Sequence, residues 1–130
     1  MHKILNPEGW PRPKGYSNGI TANGEQIYVA GQIGWNKDWV FETHDFIGQC
    51  RQALQNIVDV LAEAEAGPEH ITRMTWYITD REEYLKRGVE LGAVYREIIG
   101  NNYPVMTALQ VFALMENEAQ IEIEVTAVKP

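Results

Sequence analysis

The sequence predicts an α+β domain in which two helices cover one face of a mixed sheet. Two segments repeat apolar residues every three or four positions, a spacing typical of amphipathic helices. The runs before, between and after them are rich in β-branched and aromatic residues, which favour strands. These elements follow the order ββαβαββ in a single domain of residues 1–130, because 130 residues build one hydrophobic core but not two.

Composition and charge exclude several classes of protein. The chain is 45% hydrophobic and 22% charged, which is ordinary for a globular domain. Its net charge of −7 argues against nucleic-acid binding and against an anionic membrane surface. The single Cys50 excludes an internal disulfide. No apolar run approaches the ~18 residues of a membrane span, and the first residues lack the apolar segment of a signal peptide, so we expect a cytoplasmic protein.

The N-terminal residues 5–19 predict an irregular but stiff arm. Three of the six prolines and three glycines lie there, so neither a helix nor a regular strand is favoured. Trp10 is interpreted in two ways. It covers an edge of the core, or it lines a ligand cleft together with the cations Arg12 and Lys14.

Residues 20–34 predict the first hairpin. Asn23 and Gly24 form the dipeptide that favours a type I′ turn, and the chain then returns as a strand. Gly31 interrupts that strand, and a glycine in this position indicates a bulge or the close approach of another group. The loop that follows contains Trp35, which is interpreted as a core residue, a pocket wall or a subunit contact.

The first helix is predicted to start at Thr43, its N-cap, and to end at the breaker dipeptide Gly67-Pro68. Its apolar stripe comprises Phe46, Cys50, Ala53, Leu54, Ile57, Leu61 and Ala64. Because Cys50 lies within this stripe, we expect a buried structural thiol and not a reactive one.

A further strand and the second helix come next. Residues 71–79 are rich in β-branched and aromatic side chains and predict the strand. Asp80 and Glu83 have the spacing of a capping box at the start of a helix. The apolar stripe of this helix comprises Tyr84, Leu85, Gly88, Val89, Gly92, Tyr95, Ile98 and Ile99. Gly88 and Gly92, which are four residues apart, predict close packing of the helix on the sheet.

The last thirty residues predict a second hairpin. Tyr103–Met115 is apolar at nearly every position, so we expect a central strand covered on both faces. Residues 120–128 alternate apolar and polar side chains, as a strand with one buried face does. A polar turn at residues 116–119 joins the two. Glu122 and Glu124 then share the face that points away from the core, where they are either solvated or part of a site.

Two helices on one face leave the other face of the sheet uncovered. The predicted registers place on it Tyr28, Gln32, Met106, Gln110, Phe112, Glu122 and Glu124. Several of these side chains are too apolar for free contact with water, so we expect this face to be buried against another subunit.

The residues alone contain no familiar catalytic or metal-binding motif. His2, His44 and His70 are far apart in sequence and none has a cysteine or carboxylate at ligand spacing, so we expect no metal site. Nucleotide-binding and serine-hydrolase signatures do not occur. The candidates that remain are Glu122 and Glu124, for which a structural and a catalytic role both stay open.

Six motifs occur in order along the chain. They are GYSNG at 15–19, IYVAGQIG at 27–34, ALQNI at 53–57, TWYITD at 75–80, YP at 103–104 and QIEIEVTAV at 120–128. Together they resemble the reactive intermediate deaminase family, RidA/YjgF. The resemblance implies a homotrimer of chorismate-mutase-like subunits with ligand clefts at the subunit boundaries. It also implies hydrolysis of 2-imino acids, or of their enamine tautomers, to 2-keto acids and ammonia without a metal or an organic cofactor.

The resemblance also implies roles for individual residues. Tyr16 matches the tyrosine that lines the family's site, Gly31 matches the glycine near which backbone groups orient the ligand, and Glu122 matches the acid that positions the attacking water. Met106 stands where the family has an arginine that binds the substrate carboxylate, and Ala30 stands where it has a serine. A thioether forms no charge-assisted hydrogen bond, so we expect weak turnover of 2-iminopropanoate.

Three functions are open on this basis. The first is hydrolysis of a different imine or enamine that is more apolar or aromatic. The side chains expected around this substrate are Met106, Phe112, Trp10 and Trp35, with Arg12 or Lys14 as the cation. The second is a small-metabolite binding or regulatory trimer without catalysis. The third, a ribonuclease or translation inhibitor, is disfavoured by the net charge of −7 and by the absence of an acid-base histidine pair.

Overall fold

The fold is seen in a computed structural model that describes residues 2–130. The strands are β1 (Lys3–Leu5), β2 (Gly19–Thr21), β3 (Glu25–Ile33), β4 (Ile71–Ile78), β5 (Val105–Gln110) and β6 (Ile121–Lys129). The helices are α1 (Phe46–Glu63), α2 (Arg81–Lys86) and α3 (Gly88–Ile98), with a 3₁₀ turn at Pro68–His70. This order matches the predicted ββαβαββ, except that a short strand precedes it and the second helix is divided in two.

Four strands form a mixed sheet in the order β3-β6-β4-β5. β6 pairs antiparallel with both of its neighbours, whereas β4 and β5 run parallel. The short strands β1 and β2 form a separate antiparallel pair. α1 packs on β3 and β6, and α3 packs on α1. The predicted α+β class, with its helices on one face of a mixed sheet, is therefore confirmed.

The core lies between the helices and the sheet. Ile121, Ile123 and Val125 of β6 are buried, as the alternation in the sequence predicted. The fully buried side chains of α1 are Cys50, Ala53, Leu54, Ile57 and Leu61. Burial raises the pKa of the Cys50 thiol to about 12, so the thiol stays protonated and inert at neutral pH. The prediction of a buried structural cysteine is confirmed. Among residues 2–130, none of the helices combines the length and the apolar character needed to cross a bilayer.

The predicted closing hairpin is wrong, because β4 lies between β5 and β6. β5 covers only Val105–Gln110 and forms an edge of the sheet, so the run Tyr103–Met115 is not one central strand. The two helices between β4 and β5 provide the long crossover that parallel neighbours require. Residues 111–120 then carry the chain past β4 to β6.

The first predicted hairpin is also wrong, because β2 pairs with β1 and β3 pairs with β6. Gly24 still has a clear structural role. Its φ is +148°, and a Cβ atom at this position would lie 2.2 Å from the carbonyl oxygen of Lys129. The glycine therefore permits the end of β6 to approach the start of β3, which is a close-packing role and not a hairpin turn.

Capping side chains define the helix starts. Asp45, and not the predicted Thr43, is the N-cap of α1, since its carboxylate accepts a hydrogen bond from Gly48 N at 3.1 Å. The Asp80 carboxylate accepts from Glu83 N at 3.1 Å at the start of α2, as predicted. α1 ends at Glu63, one turn before the predicted Gly67-Pro68 stop.

Arg87 separates α2 from α3 and joins them to α1. Its guanidinium donates to the carboxylates of Asp45 at 2.6 Å, Glu90 at 2.7 Å and Glu83 at 3.3 Å. The hydrogen bond from Arg87 holds the pKa of both Asp45 and Glu90 below their ordinary values. Arg87 thus ties the N-terminus of α1 to the interrupted helix.

Replacing Arg87 by glutamine should lower the melting temperature more at neutral pH than in acid. A carboxylate whose pKa is depressed in the folded state contributes stability above its unfolded pKa, and that contribution is lost as the pH falls through the folded pKa. The difference in melting temperature between the wild type and Arg87→Gln should therefore be largest near pH 7 and should shrink below about pH 4. Lys86→Gln, which removes a neighbouring exposed charge, is the control. A difference for Arg87→Gln that stays constant from pH 7 to pH 3 would contradict this account.

Candidate functional site

A cavity of about 530 Å³ lies where α2 and α3 meet the sheet edge formed by β4 and β5. Its volume falls in the usual range for sites that bind small molecules. Residues of the N-terminal arm close one side. The lining residues are Lys14, Gly15, Tyr16, Trp76, Tyr84, Leu85, Gly88, Leu91, Gly92, Tyr95, Arg96, Tyr103, Met106 and Ala108.

Aromatic rings form much of the cavity wall. The rings of Tyr95 and Tyr103 are stacked with centroids 5.7 Å apart, and those of Trp76 and Tyr95 are 6.3 Å apart. The Tyr95 hydroxyl donates to the carbonyl of Asn102 at 2.5 Å. Burial raises the pKa of Tyr84 and of Tyr95, so both phenols are neutral at physiological pH. The aromatic part of the wall is therefore uncharged, and Trp76 and Tyr95 contribute only narrow surfaces to it, since they are 4% and 6% exposed.

The buried Ser17 holds the arm against the sheet edge. Its backbone N donates to the carbonyl of Pro104 at 3.0 Å, and its hydroxyl donates to the carbonyl of Tyr103 at 2.5 Å. A single bridge also joins Ser17 to Val105 at the start of β5. These bonds bring Tyr16, the residue before Ser17, to the cavity. The sequence predicted a stiff arm, but the part that Ser17 plays depends on partners about 86 residues away.

Met106 lies on the face covered by the helices, which corrects its predicted position on the uncovered face. It is opposite the fully buried Met74 in the parallel pairing of β4 and β5, and it packs against the core at the edge of the cavity. Gln110 is opposite the buried Ile78 and has the same orientation. Phe112 lies beyond β5 in the loop and is fully exposed. The error arose because the register of β5 is set by its pairing with β4, which the pattern of a single strand does not reveal.

Apart from the cavity residues Tyr16 and Met106, two further predicted site residues, Gly31 of β3 and Glu122 of β6, lie next to each other. The pairing of these strands shifts between Val29 and Gln32, so Gly31 lies in a β-bulge. A Cβ atom on Gly31 would lie 2.0 Å from Oε2 of Glu122, which means that the carboxylate occupies the space a side chain would fill. The prediction that Gly31 marks a bulge or a close approach is confirmed. The half-buried Glu122 lies on the uncovered face, between the buried Ile121 and Ile123.

Other polar residues on the uncovered face are paired or exposed. Glu124 accepts a hydrogen bond from the Tyr77 hydroxyl at 2.7 Å, and this bond raises the pKa of Tyr77. Tyr28 is 70% exposed and lies opposite Thr126. Tyr28, Glu122 and Glu124 therefore occupy this face as the sequence predicted.

In one chain the predicted site residues fall into two pairs that lie on opposite faces of the sheet. Tyr16 and Met106 meet at the cavity on the helix-covered side. Gly31 and Glu122 meet on the other side. No carboxylate or imidazole lines the cavity among residues 2–130. A site that uses both groups requires Glu122 from a second copy of the chain.

Four other predicted ligand-binding residues lie outside the cavity. Trp10 is 58% exposed, and Arg12 and Phe112 are also on the surface. Trp35 stacks on Trp39 with ring centroids 5.5 Å apart. Their assignment to a ligand site stays a prediction.

Within residues 2–130, two cations line the cavity, and the sequence predicted only one of them. Lys14 is the predicted cation that reaches it, and Arg96 of α3 is the one that was missed. Arg96 follows Gly92 by four residues and therefore lies on the same side of the helix, which is a signal that could have found it.

The fold and the site define a small α+β protein with an aromatic cavity at a sheet edge and a carboxylate beside a glycine bulge on the opposite face. The family model described as Endoribonuclease L-PSP matches residues 11–129. A RutC family protein of Aquifex aeolicus is 33% identical over 99% of this chain and 100% of its own length. A RutC family protein of Pyrococcus horikoshii is 32% identical over 99% of each chain.

Solved structures of related proteins agree with this family match. The Yersinia pestis protein YyfB, described as a protein of unknown function of the conserved Rid family, aligns with a TM-score of 0.86 at 26% identity over 98% of each chain. A Mycobacterium tuberculosis member of the YjgF/YER057c/UK114 family aligns with a TM-score of 0.66 at 27% identity, covering 99% of this chain and all of its own. The chain belongs to the Endoribonuclease L-PSP family, which is the RidA/YjgF family of the sequence resemblance.

Proposed function

We propose that this protein is a homotrimeric hydrolase that deaminates an imine or enamine metabolite more apolar than 2-iminopropanoate. The observation that carries the proposal is the division of the site. Among the described residues, the cavity is lined by Tyr16 and Met106 but by no carboxylate, whereas Glu122 stands beside Gly31 on a sheet face that a second copy would cover. Each cleft would then combine the cavity of one chain with Glu122 of its neighbour.

The chemistry assigned to Glu122 is activation of water. Its carboxylate would accept a proton as the water oxygen attacks the carbon of the C=N bond, giving a tetrahedral carbinolamine. The carboxylate returns that proton to the nitrogen, the hydroxyl proton of the carbinolamine is then transferred to the same nitrogen, and cleavage of the C–N bond releases ammonia and leaves a carbonyl group. The sum is imine plus water to carbonyl compound plus ammonia, with no oxidation or reduction. An enamine would first be protonated on carbon to give the same imine.

Met106 determines which substrates suit the cavity. Its thioether offers no hydrogen-bond donor at the family's carboxylate-binding position and adds apolar surface beside the aromatic wall. A small acid that depends on its carboxylate for binding would be held poorly there. A larger apolar or aromatic body would make good contact with the same wall.

Two measurements test the proposal. Light scattering at micromolar concentration should give the mass of a trimer, three times 14.8 kDa. Imines generated in solution from several amino acids by an amino-acid oxidase should release ammonia faster with the protein present, most of all those with apolar or aromatic side chains. The proposal would be rejected if the protein were a monomer, or if it accelerated ammonia release from none of these imines.

A binding or regulatory trimer is the second candidate, and Met106 favours it, because it stands in place of the arginine that binds the substrate carboxylate in the family. It would bind small molecules in the cleft without releasing ammonia. Ribonuclease activity, which the name of the matching family suggests, has less support, because His2, His44 and His70 all lie outside the cavity and the net charge is −7. A cytoplasmic location stays a prediction.

A further inference from the structure

The cavity contains a cation that the proposed hydrolysis does not use. Arg96 lines it from α3, and its Nη1 atom lies 3.2 Å from the position that a Cβ atom on Gly92 would take. The guanidinium therefore folds back over Gly92, in space left by the missing side chain. Arg51 and Arg87 have carboxylates within 4.0 Å, but no such partner of Arg96 is found among residues 2–130. Arg96 is thus an exposed guanidinium beside the cavity without a carboxylate partner among the described residues.

Trp76 also lines the cavity, and in the described part of the chain its indole nitrogen is an unpaired donor within the wall. The residue is only 4% exposed and lines the cavity, and its indole Nε1 has no hydrogen-bond partner among residues 2–130. Buried donors in folded proteins are nearly always paired, and an unpaired one requires an explanation. Nε1 is itself buried, so an acceptor atom on a ligand reaches it only if neighbouring side chains move.

The charge and shape of the cavity indicate the class of ligand. Both charged side chains that line it, Lys14 and Arg96, are positive. The aromatic residues of the wall include Tyr16, Tyr84 and Tyr103, which are more exposed than Trp76 and Tyr95, and a volume of about 530 Å³ is far more than a three-carbon acid fills. A planar aromatic anion complements all three features.

We propose that Arg96 replaces the arginine missing at position 106 and binds the carboxylate of a planar aromatic ligand whose ring packs against the aromatic wall of the cavity. The anion-binding position thereby moves from strand β5 to helix α3. A guanidinium pairs with a carboxylate through two parallel hydrogen bonds, so Arg96 suits this role better than Lys14. That the ligand is a substrate, an aromatic 2-imino acid or its conjugated enamine, rests on the proposed function; that it is an aromatic carboxylate does not.

Calorimetric titration with three stable probes tests the proposal. Cinnamate is planar, aromatic and anionic, cinnamamide is its neutral analogue, and acrylate carries the charge without the ring. The wild type should bind cinnamate more tightly than either of the others. Arg96→Gln should weaken cinnamate binding by about tenfold and leave cinnamamide binding unchanged. Arg81→Gln removes the same charge from an exposed position outside the cavity and should change neither affinity.

An NMR measurement checks the position of the ring. In protein labelled with ¹⁵N-tryptophan, the indole signal that Trp76→Phe removes identifies Trp76. Cinnamate should shift this signal in the wild type. A cinnamate affinity that is the same for the wild type and Arg96→Gln, cinnamamide binding as tight as that of cinnamate, or no binding of cinnamate would overturn the inference.

The failure of this inference is distinguishable from that of the proposed function. Accelerated ammonia release that depends on Glu122, without any effect of Arg96 on cinnamate binding, would reject the Arg96 site and retain the hydrolase. Arg96-dependent cinnamate binding without ammonia release from any imine would support the aromatic anion site and reject the hydrolase.

Discussion

Replacing Glu122 by glutamine should lower the rate of imine hydrolysis by about 10²-fold or more, the usual scale for loss of a general base. The amide keeps the shape of the side chain but cannot accept the proton of the attacking water. Since Glu122 is half-buried on the sheet face away from the helices, the variant should fold normally. Ammonia release from apolar and aromatic imines, measured on trimeric protein, is the assay.

Glu124→Gln is the matched control for this experiment. Glu124 lies two residues along the same face of β6, where it accepts a hydrogen bond from Tyr77. Its replacement should leave the rate within a fewfold of the wild type. Equal rates for wild type and Glu122→Gln would assign Glu122 to structure and reject its role in catalysis.

Gly31→Ala tests the same carboxylate by geometry alone. An added Cβ atom would lie 2.0 Å from Oε2 of Glu122, well inside contact distance, so the carboxylate must move. We expect a loss of activity comparable to that of Glu122→Gln, although every titratable group is retained. A fully active Gly31→Ala trimer would show that the position of Glu122 beside the bulge is unimportant.

Met106→Arg should increase turnover of 2-iminopropanoate by about tenfold or more over a very weak wild-type rate. A charge-assisted hydrogen bond contributes about 1.5–3 kcal/mol, and two parallel bonds orient the carboxylate as well. Met106 borders the cavity, so a longer side chain can direct its guanidinium into that space while its aliphatic part keeps contact with the core. Values of kcat/KM for this substrate provide the measurement.

Two further variants separate charge from shape at this position. Met106→Leu keeps the apolar volume and should give no increase. Met106→Lys adds a positive charge without the forked geometry of a guanidinium, and it should give a smaller increase in turnover than Met106→Arg. Rapid turnover of 2-iminopropanoate by the wild type would show that another cation already binds the carboxylate, and Arg96→Gln would then be the variant that abolishes it.

The sequence supported the fold class because its signals are local. Alternation in β6 and the three- to four-residue spacing in α1 each report one buried face, and Ile123 and Leu54 are buried as predicted. The pairing of the strands could not be predicted from such local patterns. Both predicted hairpins were wrong, because adjacent strands in the chain were assumed to pair although β4 lies between β5 and β6.

For the candidate site, too, the sequence predicted individual residues but not which of them lie close together. Tyr16, Met106, Gly31 and Glu122 were identified through motifs, and the role of Gly31 as a bulge followed from its position in a strand. The structure decided which of them meet. Arg96 was missed because it belongs to no family motif, and only the packing of α3 beside β4 and β5 brings it to the cavity.

By itself, the sequence determined the α+β class, the buried faces of β6 and α1, and the replacement of the family arginine by Met106. Only the tertiary structure decided that Met106 faces the helices and that Glu122 lies on the opposite face from the cavity. The physical reason is that the face of a residue in an edge strand depends on the register with its neighbour, and a shift of one residue reverses it. The register of β5 is set by β4, more than 25 residues earlier in the chain.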